Sequence, residues 1–331
     1  MGQSLSSMFS GLNLRGVFGP QVTAEEVARG VDLSNRTVIV TGATSGIGRE
    51  TARVLAMHGA HVVIAARKME SGLALKETIL TESPKATVDV MHIDLASLKS
   101  VKSFAEEYKA KNLGLDILIN NAGVFMKQFV ASDEGIEYMF TVHDLGHYYL
   151  TALLLDTIKK TAKESGNEGR IVFTASEGHR ITYKEGINFH SLTDPALFNP
   201  YKAYGQSKLG DILLAKEFAE ILKEEGAPVT SNAVHPGAVT TKLGRNFFNH
   251  AITDVGYEVS KPFLRSPEEG AATIVYVATC PGLKGETGKY FADCAEKQPS
   301  NHGCNKELRK KLWKWCEDFV AARLGTYSEQ K

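Results

Sequence analysis

The chain has 331 residues, 43% of them hydrophobic, and its 38 Lys and Arg are balanced by 38 Asp and Glu. That composition excludes a disordered chain, a collagen-like repeat and a coiled-coil rod. Zero net charge gives no electrostatic case for a nucleic-acid partner, and the length suits one large α/β unit as well as two smaller domains.

Residues 1–30 read as an N-terminal tail. Gly2, exposed once Met1 is removed, and Ser6 fit the N-myristoylation pattern, or else a plain Ser/Gly-rich tail. One acyl chain holds a membrane only marginally, and Arg15 is the one basic residue among the first 28. Any membrane association is therefore expected to be reversible. No stretch approaches the ~20 apolar residues of a transmembrane helix, and residues 1–20 lack the apolar core of a secretory signal.

From Thr37 onward, β-branched runs alternate with helical patterns. Strands are expected at 37–41, 61–66, 87–93, 115–120, 170–175 and 230–235, with a short last one at 289–291. Helices are expected at 49–58, 70–82, 98–111, 134–163, 203–225, 267–279 and 306–324. This alternation requires parallel crossovers, so the fold class is α/β: a single-domain, Rossmann-like doubly wound parallel sheet with helices on both faces, spanning 31–325. Two long insertions, 178–200 and 240–266, follow the fifth and sixth strands, at the edge where such sheets bind ligands.

Gly42, Thr44, Ser45, Gly46, Ile47 and Gly48 lie between the first strand and its helix. Glycines there let the backbone approach a pyrophosphate, and the helix N-terminus supplies N–H donors. The second strand ends Ala66-Arg67-Lys68, with no acid to take a ribose 2′-OH. Arg67 and Arg49 could instead clamp a 2′-phosphate, pointing to NADP(H), unless both are simply solvated. Asp94 and Leu95 after the third strand, and Asn121, Ala122 and Gly123 after the fourth, fit the adenine and the bound dinucleotide respectively, or turn chemistry.

Tyr204 and Lys208 are spaced i and i+4, on one helix face. An ammonium beside a phenol favours phenolate and brings it toward useful acid–base work. Ser176, at the end of strand five, sits on the same edge and could polarise a carbonyl. Cys280, Cys294, Cys304 and Cys316 show no metal-type pairing and are expected as reduced thiols, with no metal site.

These motifs in order (TGATSGIG, Asp94-Leu95, NNAG, Ser176, YGQSK and His235-Pro236-Gly237 with Thr241) resemble the short-chain dehydrogenase/reductase family over about residues 35–295. Within it the chain is similar to the retinol-dehydrogenase and WW-domain-oxidoreductase branch. It looks closest to plant proteins related to the dehydrogenase-like component of the chloroplast inner-envelope translocon. The resemblance implies hydride transfer between NADP(H) and an alcohol or carbonyl. It makes Tyr204 the proton donor or acceptor, gives Lys208 the nicotinamide ribose, and lets Ser176 orient the carbonyl. Pro236, Gly237, Val239 and Thr241 would lie along the nicotinamide half. It implies, too, pairing into a homodimer through the long helices, and a place in the cytoplasm or at the chloroplast envelope, peripheral at most. A nucleotide-regulated scaffold with weak turnover is the alternative.

One position departs. The family segment reads Asn-His-Leu-Gly-His, whereas this chain reads His143-Asp144-Leu145-Gly146-His147. His143 occupies the slot of an Asn that supports a proton relay, so either the relay is rebuilt around it or turnover is weakened. The insertion from 240 carries Leu243, Phe247, Phe248, Ile252 and Val255, the pattern of a lid over a lipophilic substrate or of ordinary packing. The basic amphipathic helix 306–324, with Trp313 and Trp315, fits a calmodulin target, a membrane-surface helix or a helix docked on the core.

Overall fold

The computed structural model describes residues 18–19, 21–241, 243 and 264–325. The myristoylation pattern at Gly2 and Ser6, and Phe247, Phe248, Ile252 and Val255, lie outside them.

Eight strands form one sheet: β1 (Thr37–Thr41), β2 (His61–Ala66), β3 (Thr87–His92), β4 (Ile117–Asn120), β5 (Gly169–Thr174), β6 (Val229–His235), β7 (Tyr290–Ala292) and β8 (Ala295–Lys297). Their spatial order is β3-β2-β1-β4-β5-β6-β7-β8, and only the β7–β8 pair is antiparallel. Along β1, Val38 and Val40 join one core and Ile39 the other, because successive side chains leave opposite faces and both faces are covered.

The first face buries α1 (Ala24–Ala28), α2 (Gly46–Met57), α3 (Met69–Glu82) and α7 (Pro267–Thr279). The second takes α4 (Leu98–Ala110), α5 (Gly146–Ser165), α6 (Pro200–Glu224) and α8 (Lys306–Leu324). Helix α1 corrects the tail boundary. Thr23 and Glu26 close a capping box, and Ala24, Val27 and Ala28 pack into the first core, so residues 24–28 belong to the body.

Two further differences from the sequence pattern bear on the site. The helical region expected from 134 begins at Tyr138, and Thr141–Leu145 winds as a π-helical turn before α5. Such turns alter helix register and recur at functional sites; this one carries His143 and Asp144. Helix α8 spends its apolar stripe on the core through Leu308, Leu312, Cys316 and Val320. Trp313 and Trp315 are partly covered against Tyr148, Phe218 and Phe140. All four cysteines are unpaired.

Candidate active site

The sheet order reverses between β1 and β4, which are paired at Val40 and Ile119. A crevice opens at such a switch point, outside the carboxyl ends of the strands. The turn after β1 meets the turn after β4 there. A Cβ on Gly42, whose φ is +64°, would come within 2.6 Å of Ala122 Cα, and one on Gly48 within 2.3 Å of Asn121 Nδ2. Glycine is required at both because the Ala122 backbone fills the space at Gly42, and the Asn121 side chain with Gly42 O fills it at Gly48. Thr41 Oγ1 ties the turns together, accepting from the N–H of Asn121 (2.9 Å) and of Ala122 (3.0 Å), while Asn121 Nδ2 donates to Thr41 O. Ser45 caps α2 with no side-chain hydrogen bond, which leaves the first-turn N–H groups to face the crevice. Thr241 closes over Gly46, and Val239 packs beside Ile47 against Gly270. This cradle fits a dinucleotide.

The flanking positions are mixed. Arg67 is exposed and its Nη1 donates to the Tyr138 hydroxyl at 2.7 Å, and Arg49 is exposed in the first turn of α2. Asp94 accepts from Ala96 N and so closes its own turn. Leu95 is buried, with its carbonyl against Gly146 of α5. Pro236 and Gly237 leave the end of β6, where Arg265 covers Gly237 and donates to Pro236 O. Beside them a cleft of about 430 Å³ is lined by Glu177, Arg180, His235 and Asp293.

Strand β5 and helix α6 bring Ser176, Tyr204 and Lys208 together. Asn199 caps α6 by accepting from Tyr201 N and Lys202 N, and Pro200 starts the helix where no N–H is needed. At Gly205 a Cβ would come within 1.8 Å of Ile181 O, so this glycine lets α6 close on the turn that Ser176 begins. Ser176 Oγ accepts from Gly178 N and is hydrogen-bonded to the Tyr204 phenol. Lys208 is buried; its Nζ donates to Thr174 O and to Asp211 Oδ2, both at 2.9 Å, and stands 5.9 Å from the Tyr204 ring centre.

The phenol departs from the sequence expectation. Burial pushes Tyr204 above the usual phenol value, and although Lys208 and the Ser176 hydrogen bond pull it down, the Asp211 carboxylate opposes them. The net direction is upward, which favours the protonated phenol. His143 departs as well. Its Nε2 accepts from Val124 N (2.8 Å), so its Nδ1 carries the proton and donates to Ser207 Oγ (2.8 Å). Burial and Lys208 hold it well below the usual imidazole range. His143 is a neutral ring bonded at both nitrogens and edge-on to Tyr204, 6.0 Å between centres.

An apolar wall adjoins the phenol: Phe125 meets Tyr204 and Tyr201 at 5.8 and 5.9 Å, with Met139 and Leu243 in the same cluster. Sequence reasoning missed Phe125, Tyr201 and Asp211. Tyr201 and Asp211 stand one helical turn from Tyr204 and Lys208 on α6, a spacing that could have found them, whereas only the fold brings Phe125 to the pair.

The family model of the short chain dehydrogenases matches residues 36–251. The chain belongs to the short-chain dehydrogenase family. It is 47% identical to the short-chain dehydrogenase TIC 32 B, chloroplastic, of Brassica napus, over 89% of this chain and 92% of that one. It is 39% identical to the WW domain-containing oxidoreductase of Gallus gallus (92% and 73% covered) and 39% to the polyprenol dehydrogenase of Mus musculus (91% and 86%). Among solved structures, an uncharacterized protein of Mycobacterium paratuberculosis superposes with a TM-score of 0.66 at 28% identity, covering 88% of this chain and 95% of that one. Like the rest of this short-chain dehydrogenase family it is an oxidoreductase of the nicotinamide-cofactor class.

Proposed function

We propose that the protein is an NADP(H)-dependent oxidoreductase that interconverts an alcohol and a carbonyl on a lipophilic small molecule. The observation that carries this reading is the buried Tyr204 phenol bonded to Ser176, with the Lys208 ammonium behind it and the glycine cradle across the crevice. The cradle residues from Gly42 to Gly48 would hold the pyrophosphate on the N–H groups of α2. Arg67 and Arg49 would hold the 2′-phosphate, with Asp94 and Leu95 toward the adenine. Asn121, Ala122 and Gly123 would back the dinucleotide, and Pro236, Gly237, Val239 and Thr241 the nicotinamide half. When bound, the cofactor supplies or removes the hydride. Tyr204 gives its proton to the developing alkoxide in reduction and takes one from the alcohol in oxidation, Ser176 donates to the same oxygen, and Lys208 steadies the charge.

The wall of Phe125, Tyr201 and Met139, with Leu243 at its edge, supports an apolar substrate, as does similarity to a relative named for polyprenol. The test is a carbonyl panel with NADPH and NADH, for the wild type and Tyr204→Phe. Turnover of long apolar carbonyls with NADPH, lost in Tyr204→Phe, supports the reading; preference for small polar carbonyls, or an active Tyr204→Phe, defeats it.

A second reading has its own observation, the 47% identity to a chloroplast TIC 32 protein. In it the chain binds NADP(H) as a regulatory or scaffold component at the chloroplast envelope, with turnover incidental. Among the described residues no helix is long and apolar enough to cross a membrane, so attachment there would be peripheral. Retained cellular function in Tyr204→Phe would favour this reading. A calmodulin-type partner would first have to lift α8 off the core, so the isolated peptide 304–325 should bind where the whole chain does not.

A further inference from the structure

Lys208 faces more negative charge than a single counter-ion supplies. Asp211 lies one turn beyond it on α6, with Oδ2 at 2.9 Å from Nζ. Asp144 crosses from the π turn, and its Oδ1 sits where a Cβ on Gly210 would come within 1.6 Å of it. Asp144 is fully buried and Asp211 is 1% exposed. Asp211 Oδ1 and both carboxyl oxygens of Asp144 have no hydrogen-bond partner among the described residues. A carboxylate with no donor cannot stay ionised in a dry interior, since an unpaired buried charge is among the costliest groups a fold can hold. A proton on Asp144 removes the charge that has no donor among the described residues, and the Lys208 ammonium holds the one on Asp211.

This inference rests on the catalytic reading of Tyr204 and Lys208 and deepens it. We propose that Asp211 is a positioning residue for the Tyr204–Lys208 pair, carrying the charge that anchors Lys208 and damps its field at the phenol, and that Asp144 beside it carries a proton, so that one carboxylate and not two faces the ammonium.

The surroundings agree. Burial and Asp211 push Asp144 well above the usual carboxylate range, with Lys208 opposing and Glu137 adding to the rise. Burial raises Asp211 too, to about 7, even with Lys208 pulling the other way. The ammonium in contact with Asp211 Oδ2, and the lack of a donor at Asp144 among the described residues, favour the charge on Asp211 and the proton on Asp144. His143 and His147, from the π turn and α5, are held neutral by burial and Lys208 and bring no cation. From α8 the Cys316 thiol is pushed up by burial, Asp144 and Glu317, so it brings no charge either. The two carboxyls stand where this chain departs from the Asn-His-Leu-Gly-His segment, at Asp144, and where α6 continues past the lysine, at Asp211.

The experiment compares Asp144→Asn with the double variant Asp144→Asn/Asp211→Asn in the full chain, by infrared spectroscopy and by the pH profile of NADP-dependent alcohol oxidation. An amide N–H replaces the carboxylic O–H, so Asp144→Asn should lose the infrared band of one protonated carboxyl at neutral pH and keep the wild-type pH profile. The double variant also loses the charge facing Lys208, and the rise of oxidation rate should move about one pH unit lower, with KM for NADP unchanged. A band that survives in Asp144→Asn, a profile that shifts in that single variant, or a folded double variant with an unmoved profile overturns the proposal. If the double variant does not fold, the infrared result on Asp144→Asn decides alone. A wild type that oxidises no alcohol counts against the oxidoreductase reading, while the infrared band still reports the proton.

Discussion

The backbone N–H of Val124 donates to Nε2 of His143 at 2.8 Å. Because an amide can only donate there, the imidazole tautomer is set, and Nδ1–H goes to Ser207 Oγ, which itself donates to Tyr204 O. The ring thus links the turn after β4 to the helix that bears the phenol.

His143→Ala should therefore destabilise the fold by about 3 kcal/mol, from an orphaned amide plus a cavity, in urea unfolding. His143→Asn restores the family residue but is too short to reach both partners; a loss of about 1–2 kcal/mol is expected, with turnover retained. Abolished turnover in a folded His143→Asn would restore the imidazole to the proton path.

The pH dependence follows from Tyr204. Its value is raised by burial, so the phenol stays protonated through the neutral range. Carbonyl reduction uses that proton and should be nearly flat from about pH 6 to 9. Alcohol oxidation needs the phenolate and should climb about tenfold per pH unit over the same range. An oxidation profile that levels off near pH ~6.5 would point to an imidazole as the base instead.

Gly48→Ala places a methyl against Asn121 Nδ2 and Gly42 O, contacts of 2.3 and 2.5 Å to atoms that are held in place. The turns after β1 and β4 must separate. NADPH binding, followed by nicotinamide fluorescence, should weaken at least tenfold and stability fall by about 1–3 kcal/mol. Native affinity in this variant would mean that the cradle is not the cofactor site.

Arg67 should set the choice between NADPH and NADH. Arg67→Gln should reduce the ratio of their affinities about ten- to a hundredfold, the worth of one charge-assisted hydrogen bond. Tyr138→Phe, which removes only the phenol holding Arg67, should shift the ratio less. Titration of both coenzymes by fluorescence checks this, and equal ratios in all three proteins would take Arg67 out of the phosphate site.

How much was legible depended on whether the signal is local. The alternation of strand and helix, the glycine turn after β1 and the Tyr204–Lys208 spacing are set by residues within a few positions of one another, and the structure has them where the pattern puts them. Strand β8 was missed because it is three residues long and follows a turn through Asp293 and Cys294, both at positive φ, without the usual Asn-Gly pair. Helix α1 was missed because five residues carry little periodicity and gain their stability from α7.

Sequence alone settled the fold class and the order of its strands and helices along the chain, since period, caps and glycine turns are short-range consequences of backbone sterics. Only the tertiary structure gave the electrostatic surroundings of the site residues. The upward shift of Tyr204, the tautomer of His143 and the buried setting of Asp144 depend on burial and on partners brought in by the fold, such as Ser176 on Tyr204, Val124 and Ser207 on His143, and Asp211 on Asp144. In a dry interior those contacts, and not the residue types, determine where each proton sits.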